Sequence, residues 1–264
     1  MLRPRIIPCL LVHDGGLVKT VQFKDPKYVG DPINAVKIFN EKEADELVVL
    51  DIDATVNGTE PDYKMIAHVA AECRMPLCYG GGIKTLEQAR RIIGLGVEKV
   101  ALSAAAIDDP GLIGRIADEV GRQSVVVVFD VRQKGLSTDY ELWTHNGTRN
   151  RKTSPLQLAQ EFAAAGAGEI VINSIDHDGQ MKGYDLNLAR KLREAVQIPI
   201  TLLGGAGALE HISALFSACG VVGAAAGSLF VFKGAHRAVL ISYPTPAQKD
   251  QIVHSALRAF GTGD

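Results

Sequence analysis

The chain has 264 residues, of which 47% are hydrophobic, and its formal net charge is −2. This length fits either two small domains or one large α/β barrel. The near-neutral charge and the scattered basic residues argue against a nucleic-acid partner.

The sequence shows no sign of export, a membrane span or a metal site. Its longest apolar stretch, residues 219–232, is interrupted by glycines and is shorter than the ~20 residues that a spanning helix needs. The amino terminus is typical of a strand rather than an export signal, so we expect a cytoplasmic protein. The four cysteines lack metal-ligand spacing and are expected to be reduced, buried thiols, and no cofactor is expected.

Short apolar runs alternate with amphipathic segments, a pattern that predicts a parallel α/β fold. In chain order, we expect strands near residues 6–12, 47–52, 76–79, 99–103, 124–130, 169–173, 199–203 and 221–225. Apolar residues at three- and four-residue spacing predict helices over residues 31–43, 62–73, 86–95, 111–120, 155–165, 187–195 and 209–218, with a last one near 247–260. Eight strands and eight helices predict a (βα)8 TIM barrel.

The two halves of the chain resemble each other. Residues 6–11 correspond to residues 126–130, and the glycine cluster at 80–82 corresponds to the cluster at 204–207. We therefore predict one domain over residues 1–264, built from two similar half-barrels of about 1–122 and 123–264. A doubly wound open sheet is the alternative, but it does not predict two similar halves.

The barrel prediction sorts the polar residues onto two opposite faces, because catalytic groups of such barrels lie at the carboxyl ends of the strands. The residues expected at this active face are Asp51, Gly82, Ser103, Asp130, Asn173 and Asp176. Four charged residues are expected at the amino-terminal ends of their strands, namely Arg5, Glu46, Lys99 and Glu169.

The two glycine clusters are candidate phosphate sites. Together with Gly227-Ser228, they leave backbone amides uncovered beside helix starts, a geometry suited to an anion. A tight turn would need the same glycines without any ligand. The segment 22–30 is long for a βα connection and follows Lys19, so it is either a mobile lid or a solvated surface loop.

Asp130 is the candidate catalytic residue. A carboxylate in a barrel mouth is costly to desolvate, so its pKa rises into a range suited to proton transfer. The alternative role is a structural acceptor for nearby loop amides. The corresponding position in the first half is Leu11, which cannot exchange a proton, so the repeat supplies one carboxylate where two are possible.

Across essentially its whole length, the chain resembles HisF, the cyclase subunit of imidazole glycerol phosphate synthase. The motifs that carry the resemblance include Arg5–Leu10, Asp14-Gly15, Gly30-Asp31-Pro32, Asp45-Glu46-Leu47, Gly80–Ile83, Ala165–Ile170, Ser174-Ile175-Asp176, Gly183-Tyr184-Asp185 and Gly204–Gly207. The resemblance implies a HisH-like glutaminase docked on the amino-terminal face, whose ammonia crosses the barrel to a bisphosphorylated substrate. It also implies catalysis by two aspartates, at the ends of strands one and five.

The chain departs from the family pattern at its active face. Asp130 matches the strand-five aspartate, but Leu11 replaces the strand-one aspartate, and Ser103-Ala104 replaces an Asn-Thr pair that helps hold one phosphate. Fewer replacements of this kind affect the residues that the resemblance assigns to the other phosphate. The residues implied to bind substrate or phosphate are Lys19, Gly82, Ser103, Asn173, Asp178, Gly179, Gly205, Gly227 and Ser228.

The family's ammonia gate matches this chain residue for residue, at Arg5, Glu46, Lys99 and Glu169, and Glu98 replaces an aspartate that contacts the glutaminase. Four alternating charges can form a ring of ion pairs around a narrow polar inlet. The alternative is that these charges simply cap the strand starts in water.

Three functions are compatible with this pattern. The first is a paralogue like the WbuZ-like proteins of surface-polysaccharide synthesis, which act with a HisH-like glutaminase and an ATP-dependent amidotransferase of an acetamido sugar. The second is a true cyclase of histidine biosynthesis that works with Asp130 alone or with a water in place of the missing aspartate. The third is a catalytically inactive barrel that only activates the glutaminase. Loss of the strand-one carboxylate favours the first.

Overall fold

The computed structural model describes residues 3–135, 137–234 and 236–261, and these form a closed barrel of eight parallel strands. The barrel strands are β1 (Arg5–His13), β2 (Leu47–Asp51), β3 (Leu77–Gly80), β4 (Lys99–Leu102), β5 (Val125–Gln133), β6 (Glu169–Ser174), β7 (Ile200–Leu203) and β8 (Gly223–Ala226). Each strand pairs with the next, and β8 closes the barrel against β1. The predicted (βα)8 TIM barrel is confirmed, whereas its division into two half-barrels stays a prediction.

The barrel strands are apolar on both faces because helices cover their outside and side chains fill their inside. On β1, for example, Ile6 and Leu10 join the large core between strands and helices. Ile7 and Cys9 point the other way into a separate cluster inside the barrel. The buried members of this inner apolar layer are Ile7, Cys9, Val48, Cys78, Ala101, Val126, Val128, Val171, Leu203 and Ala225.

Eight helices surround the described part of the barrel: α1 (Pro32–Glu41), α2 (Tyr63–Glu72), α3 (Leu86–Gly94), α4 (Gly111–Val120), α5 (Pro155–Ala165), α6 (Leu186–Ala195), α7 (Leu209–Cys219) and α8 (Pro246–Gly261). Side-chain caps fix the starts of α1, α2, α3, α5 and α6, for example Asp31, Asp185 and the capping box of Thr85 with Gln88. Short helices over Ala54–Asn57, Ala104–Asp108 and Ser228–Val231 follow β2, β4 and β8, and a 3-10 turn over Arg122–Ser124 precedes β5.

Two antiparallel hairpins extend the barrel at its carboxyl-terminal end, one from β1 and one from β5. The first hairpin consists of Gly16–Val21 and Lys24–Gly30, and the second of Tyr140–Thr144 and Arg149–Asn150. The predicted loop over residues 22–30 was therefore wrong, because most of it is a strand. Five of the seven residues of that strand are exposed, so its sequence carries no apolar signal. Its role as a lid stays a prediction.

The segment between β8 and α8 is anchored at the amino-terminal rim. It forms a small hairpin from Phe232–Lys233 and Ala238–Val239. The Tyr243 hydroxyl then donates to the carbonyl oxygen of Ile6 (2.8 Å) and accepts from the backbone N–H of Asp45 (3.1 Å). Among the residues that the structure describes, no helix has the length and apolar character to span a membrane.

Candidate functional site

Four charged side chains meet at the amino-terminal mouth of the barrel. Lys99 Nζ lies 2.8 Å from Glu46 and 2.9 Å from Glu169. Arg5 also pairs with both carboxylates, at 2.7 Å to Glu169 Oε1. We call Arg5, Glu46, Lys99 and Glu169 the ion-pair ring. The structure thus brings together all four residues that the sequence places at this mouth, although a ring of ion pairs alone does not establish a gate.

Burial makes the ion-pair ring electrostatically strong. Glu46 and Glu169 are 3% and 4% exposed, and Thr201 donates a hydrogen bond of 2.6 Å to Glu169. Burial by itself would raise the pKa of Glu169, but the neighbouring Arg5 and Lys99 outweigh it and hold this pKa well below its ordinary value. Glu169 is therefore ionised at neutral pH, and the ion-pair ring forms a polar layer beneath the inner apolar layer.

Glu98, the residue implied to contact a glutaminase, is exposed beside the ion-pair ring. Its carboxylate accepts a hydrogen bond of 2.7 Å from the backbone N–H of Leu77, the first residue of β3. This bond fixes one oxygen of the carboxylate at the amino-terminal rim and leaves the residue accessible to a partner on that face.

A cavity of about 290 Å³ opens at the carboxyl-terminal mouth, between the ends of β1 to β6. We call it the larger cavity. Its walls include Leu11, Gly82, Ser103, Asp130 and Asn173, so residues from five different strand ends contribute to one site. The hairpin after β5 covers it, because Asn146 at the hairpin tip donates a hydrogen bond of 2.9 Å to the carbonyl oxygen of Ile52.

Asp130 and Asn173 form a hydrogen-bonded pair at the base of this cavity. They lie opposite each other on β5 and β6, and Asn173 Nδ2 donates to Asp130 Oδ1 at 3.1 Å. Burial raises the pKa of Asp130 to about 7, although the hydrogen bond from Asn173 opposes this shift. A carboxyl group with this pKa exchanges a proton readily at neutral pH, which is the property expected of an acid–base group.

A second cavity, of about 30 Å³, lies between the ends of β6, β7 and β8. We call it the smaller cavity. Its lining includes seven of the residues that the sequence assigns to substrate or phosphate, namely Lys19, Asn173, Asp178, Gly179, Gly205, Gly227 and Ser228. Leu11, Phe23 and Asn173 line both cavities and form the partition between them.

Lys19 reaches into the smaller cavity as a buried amine. The residue is 6% exposed, and its Nζ donates a hydrogen bond of 2.5 Å to the carbonyl oxygen of Cys9. Its aliphatic chain and amine pack against Gly227, where any side chain would collide with them. Burial lowers the pKa of Lys19. The amine lies next to backbone amides that suit an anion, and an anion bound there would favour its charged form.

Asp178 binds the hairpin after β1, and its implied role at the substrate or phosphate site stays a prediction. Its Oδ2 accepts hydrogen bonds from the Thr20 hydroxyl (2.7 Å) and from the backbone N–H of Phe23 (3.1 Å). Both donors belong to the hairpin after β1, whose turn residues Gln22 and Phe23 have positive φ values of 52° and 64°. These two contacts hold the strained turn over the barrel.

The glycines of the two clusters have packing reasons of their own. Gly82 has φ 72°, and a Cβ there would lie 2.9 Å from the Cβ of Ala54. Gly205 has φ 105°, and a Cβ there would collide with the carbonyl oxygen of Gly183. These positions require glycine with or without a ligand, so phosphate binding at either cluster stays a prediction.

Sequence reasoning missed a charged network beside the larger cavity. His13 Nδ1 lies 2.7 Å from Asp53 Oδ1, and the backbone N–H of Asp14 donates to Asp53 Oδ2 at 2.8 Å. The hydrogen bond to Asp53 raises the pKa of His13. The residues come from different βα units, so only the closeness of β1 and β2 in a barrel could have suggested this pair.

Comparison of the sequence with known proteins assigns the chain to one family. The profile of the family described as "Histidine biosynthesis protein" matches residues 5–236. A Vibrio vulnificus protein provisionally named imidazole glycerol phosphate synthase subunit hisF3 is 56% identical over 94% of this chain and 96% of its own length. A Leptospira borgpetersenii protein provisionally named subunit HisF is 55% identical, with coverage of 96% and 99%.

The imidazole glycerol phosphate synthase subunit HisF of Exiguobacterium sibiricum is 40% identical, over 96% of this chain and 97% of its own. The chain therefore belongs to the histidine biosynthesis protein family and, within it, to the HisF family.

Proposed function

We propose that this chain is the synthase subunit of a glutamine amidotransferase. It receives ammonia from a HisH-like glutaminase at the amino-terminal mouth and passes it through the barrel to an acceptor at the carboxyl-terminal mouth. The observation that carries the proposal is the combination of a complete ion-pair ring at one mouth with Leu11 in place of the strand-one carboxylate at the other.

The order of layers along the barrel suits transport of a neutral molecule. The ion-pair ring faces the amino-terminal side, where Glu98 offers a contact for the glutaminase. Above the ring lies the inner apolar layer, in which an ion would lose its hydration without replacement. Ammonia is small and uncharged, so it pays far less than ammonium to cross this layer. The path ends at Asp130 and Asn173.

The acceptor in this proposal is a sugar of a surface polysaccharide, amidated with the help of an ATP-dependent amidotransferase. Such a partner activates the acceptor itself, so the barrel needs no second carboxylate for ring closure. This explains why Leu11 is tolerated at the position where a cyclase uses an acid–base group. The larger cavity, together with the Lys19 amine in the neighbouring smaller cavity, suits a phosphorylated small molecule.

The second candidate is the cyclase subunit of imidazole glycerol phosphate synthase in histidine biosynthesis. Asp130 favours it, because a pKa of about 7 suits proton transfer. The 40% identity to the Exiguobacterium sibiricum HisF is also compatible with it. Purified protein supplied with the bisphosphorylated ribonucleotide intermediate and ammonium salt decides between the two. We expect turnover at least ~10² below that of a two-carboxylate cyclase; a rate of the same order would refute the conduit proposal.

The conduit proposal is tested by the coupling of glutamine hydrolysis to product amidation in the reconstituted complex. Lys99→Ala removes two of the four contacts of the ion-pair ring, so we expect ammonia to escape and less product per glutamine. Lys249→Ala is the matched control, because Lys249 pairs with Asp45 (2.7 Å) at the same end but outside the bore. Equal coupling in both variants would contradict the proposal. Undiminished amidation by Ala101→Phe, which fills the bore, would instead favour a purely activating scaffold.

A further inference from the structure

Arg132 is a half-buried cation that has no anionic partner among the described residues. It follows Asp130 by two positions on β5, so both side chains leave the strand on the same face. Its Nε is fully buried and has no hydrogen-bond acceptor in the described part of the chain. A guanidinium stays charged in proteins and can only donate hydrogen bonds, so this group needs an acceptor that the described residues do not supply.

Trp143 presents a second donor of the same kind beside it. Trp143 pairs with Asp130 in the hairpin after β5, so its side chain shares the face of Asp130 and Arg132. The guanidinium carbon of Arg132 lies 4.8 Å from the centre of the Trp143 ring. The indole Nε1 is buried and finds no acceptor among the described residues. A cation over an aromatic ring offsets part of the lost hydration of the charge, but it satisfies neither N–H group.

The carboxylates near Arg132 are bound by other donors. Glu141 lies opposite Arg132 in the ladder, yet its Oε2 accepts a hydrogen bond of 2.7 Å from Asn150. Asp176 accepts a hydrogen bond of 2.9 Å from the backbone N–H of Gln133, the residue after Arg132. An unpaired cation with two unpartnered N–H groups is most simply explained by a ligand that supplies the missing anion.

The guanidinium lies beneath the tips of the two hairpins. A Cβ on Gly147 would lie 3.5 Å from Arg132 Nη2 and 3.4 Å from the ring of Phe23, and because Gly147 has no side chain, the tip leaves room beside Nη2. Arg132 does not itself line the larger cavity, but Phe23 and Asn146 do. A molecule in this cavity that projects between the two tips would therefore meet the guanidinium.

We propose that Arg132 and Trp143 form a recognition site for an oxyanion, namely a carboxylate or phosphate group carried by the molecule in the larger cavity. The parallel N–H groups of a guanidinium edge fit two oxygens of such a group, and the indole N–H beside it is a further donor. Nε and Nε1 are buried while the tips touch, so the anion reaches them as the tips separate. That this molecule is the ammonia acceptor rests on the proposed function, whereas oxyanion binding does not.

Binding is tested by NMR on the purified full-length chain. Trp143 is the single tryptophan of the sequence, so its indole N–H gives one 1H–15N signal that needs no further assignment. Sodium acetate and sodium phosphate are titrated at pH 7, with sodium chloride at equal ionic strength as the control. We expect a saturable shift of this signal with at least one oxyanion and none with chloride. A response to acetate alone would identify a carboxylate ligand, and a response to phosphate alone a phosphate ligand. Equal responses to all three salts, or none, would overturn the inference and leave bound water as the partner of both N–H groups.

Variants locate the response at Arg132. Arg132→Gln removes the charge and should abolish the shift, whereas a shift that persists would place the anion elsewhere and refute the site. Arg132→Lys keeps the charge but loses the paired N–H edge, so we expect about 10-fold weaker binding, and it keeps the test valid if the glutamine variant folds poorly. Arg149→Gln removes an exposed arginine from the same hairpin and is the matched control, which should respond like the wild type.

The outcomes separate this inference from the proposed function. Oxyanion binding at Arg132 without coupling of glutamine hydrolysis to amidation would refute the conduit and leave the recognition site standing. Full coupling in the reconstituted complex, together with no specific response of the Trp143 signal, would refute the recognition site alone.

Discussion

Replacing Asp130 by asparagine should stabilise the protein, and the gain should grow with pH. The pKa of this carboxyl group is about 7 in the folded chain, against an ordinary value of 3.8, first because burial desolvates the charged form. Ionisation is therefore harder in the folded than in the unfolded state. Below pH 3.8, Asp130 is protonated in both states and does not destabilise the wild type. The free energy of unfolding then falls as the pH rises from 3.8 towards 7.

The size of the effect follows from the two pKa values. This difference in pKa lowers the free energy of unfolding of the wild type by about 2 kcal/mol at pH 5 and by at most about 4 kcal/mol at pH 8, where the loss has levelled off. The Asp130→Asn variant keeps the shape of the side chain and has no charge to desolvate. Its advantage in free energy of unfolding should therefore increase by about 2 kcal/mol between pH 5 and pH 8.

Urea unfolding of both proteins at pH 5, 6, 7 and 8 measures this difference. Asp118→Asn, on the exposed side of α4, is the control for removing a negative charge in general. A difference between wild type and Asp130→Asn that stays constant over this pH range would refute the reasoning, because it would mean that Asp130 ionises as easily in the folded chain as in the unfolded one.

Three further predictions concern other parts of the molecule. Glu169→Gln should lower the free energy of unfolding by about 3 kcal/mol in urea at pH 7, because it leaves the half-buried Arg5 and Lys99 with Glu46 as their one remaining carboxylate; the wild type should lose this contribution only as the pH falls below 4.5. Leu11→Asp should raise the pKa of Asp130 above about 7 in an NMR titration, since like charges repel across the cavity. Tyr243→Phe should cost about 1–2 kcal/mol in the same urea assay through its two lost hydrogen bonds.

Most of the barrel could be predicted from the sequence because its strands are buried on both faces and read as continuous apolar runs. The ion-pair ring was also accessible to this reasoning. Arg5, at the start of β1, is an even number of positions from Ile7 and Cys9, so strand alternation places it inside the barrel. The same alternation applies to Glu46 before β2 and to Lys99 and Glu169 at the starts of their strands.

The covering elements and the roles of individual side chains could not be predicted in this way. The strand Lys24–Gly30 is exposed and lacks an apolar pattern. Asp178 accepts a hydrogen bond from Thr20, which lies 158 positions earlier in the chain, and no sequence pattern indicated this contact. Contacts of that kind depend on the closed barrel, and neither residue spacing nor composition predicts them. The hydrogen bond from the Asn173 side chain to Asp130 could not be predicted either.

The two hairpins over the carboxyl-terminal mouth cover the cavity and are also paired with the strand segments that carry Leu11 and Asp130. Their tips touch, since a Cβ on Gly147 would lie 3.4 Å from the ring of Phe23. Each hairpin is also the direct continuation of a barrel strand: Leu11 pairs with Val18 in one ladder, and Asp130 pairs with Trp143 in the other. If the first hairpin acts as the predicted lid, a molecule that separates the two tips would also pull on the ladders that carry Leu11 and Asp130.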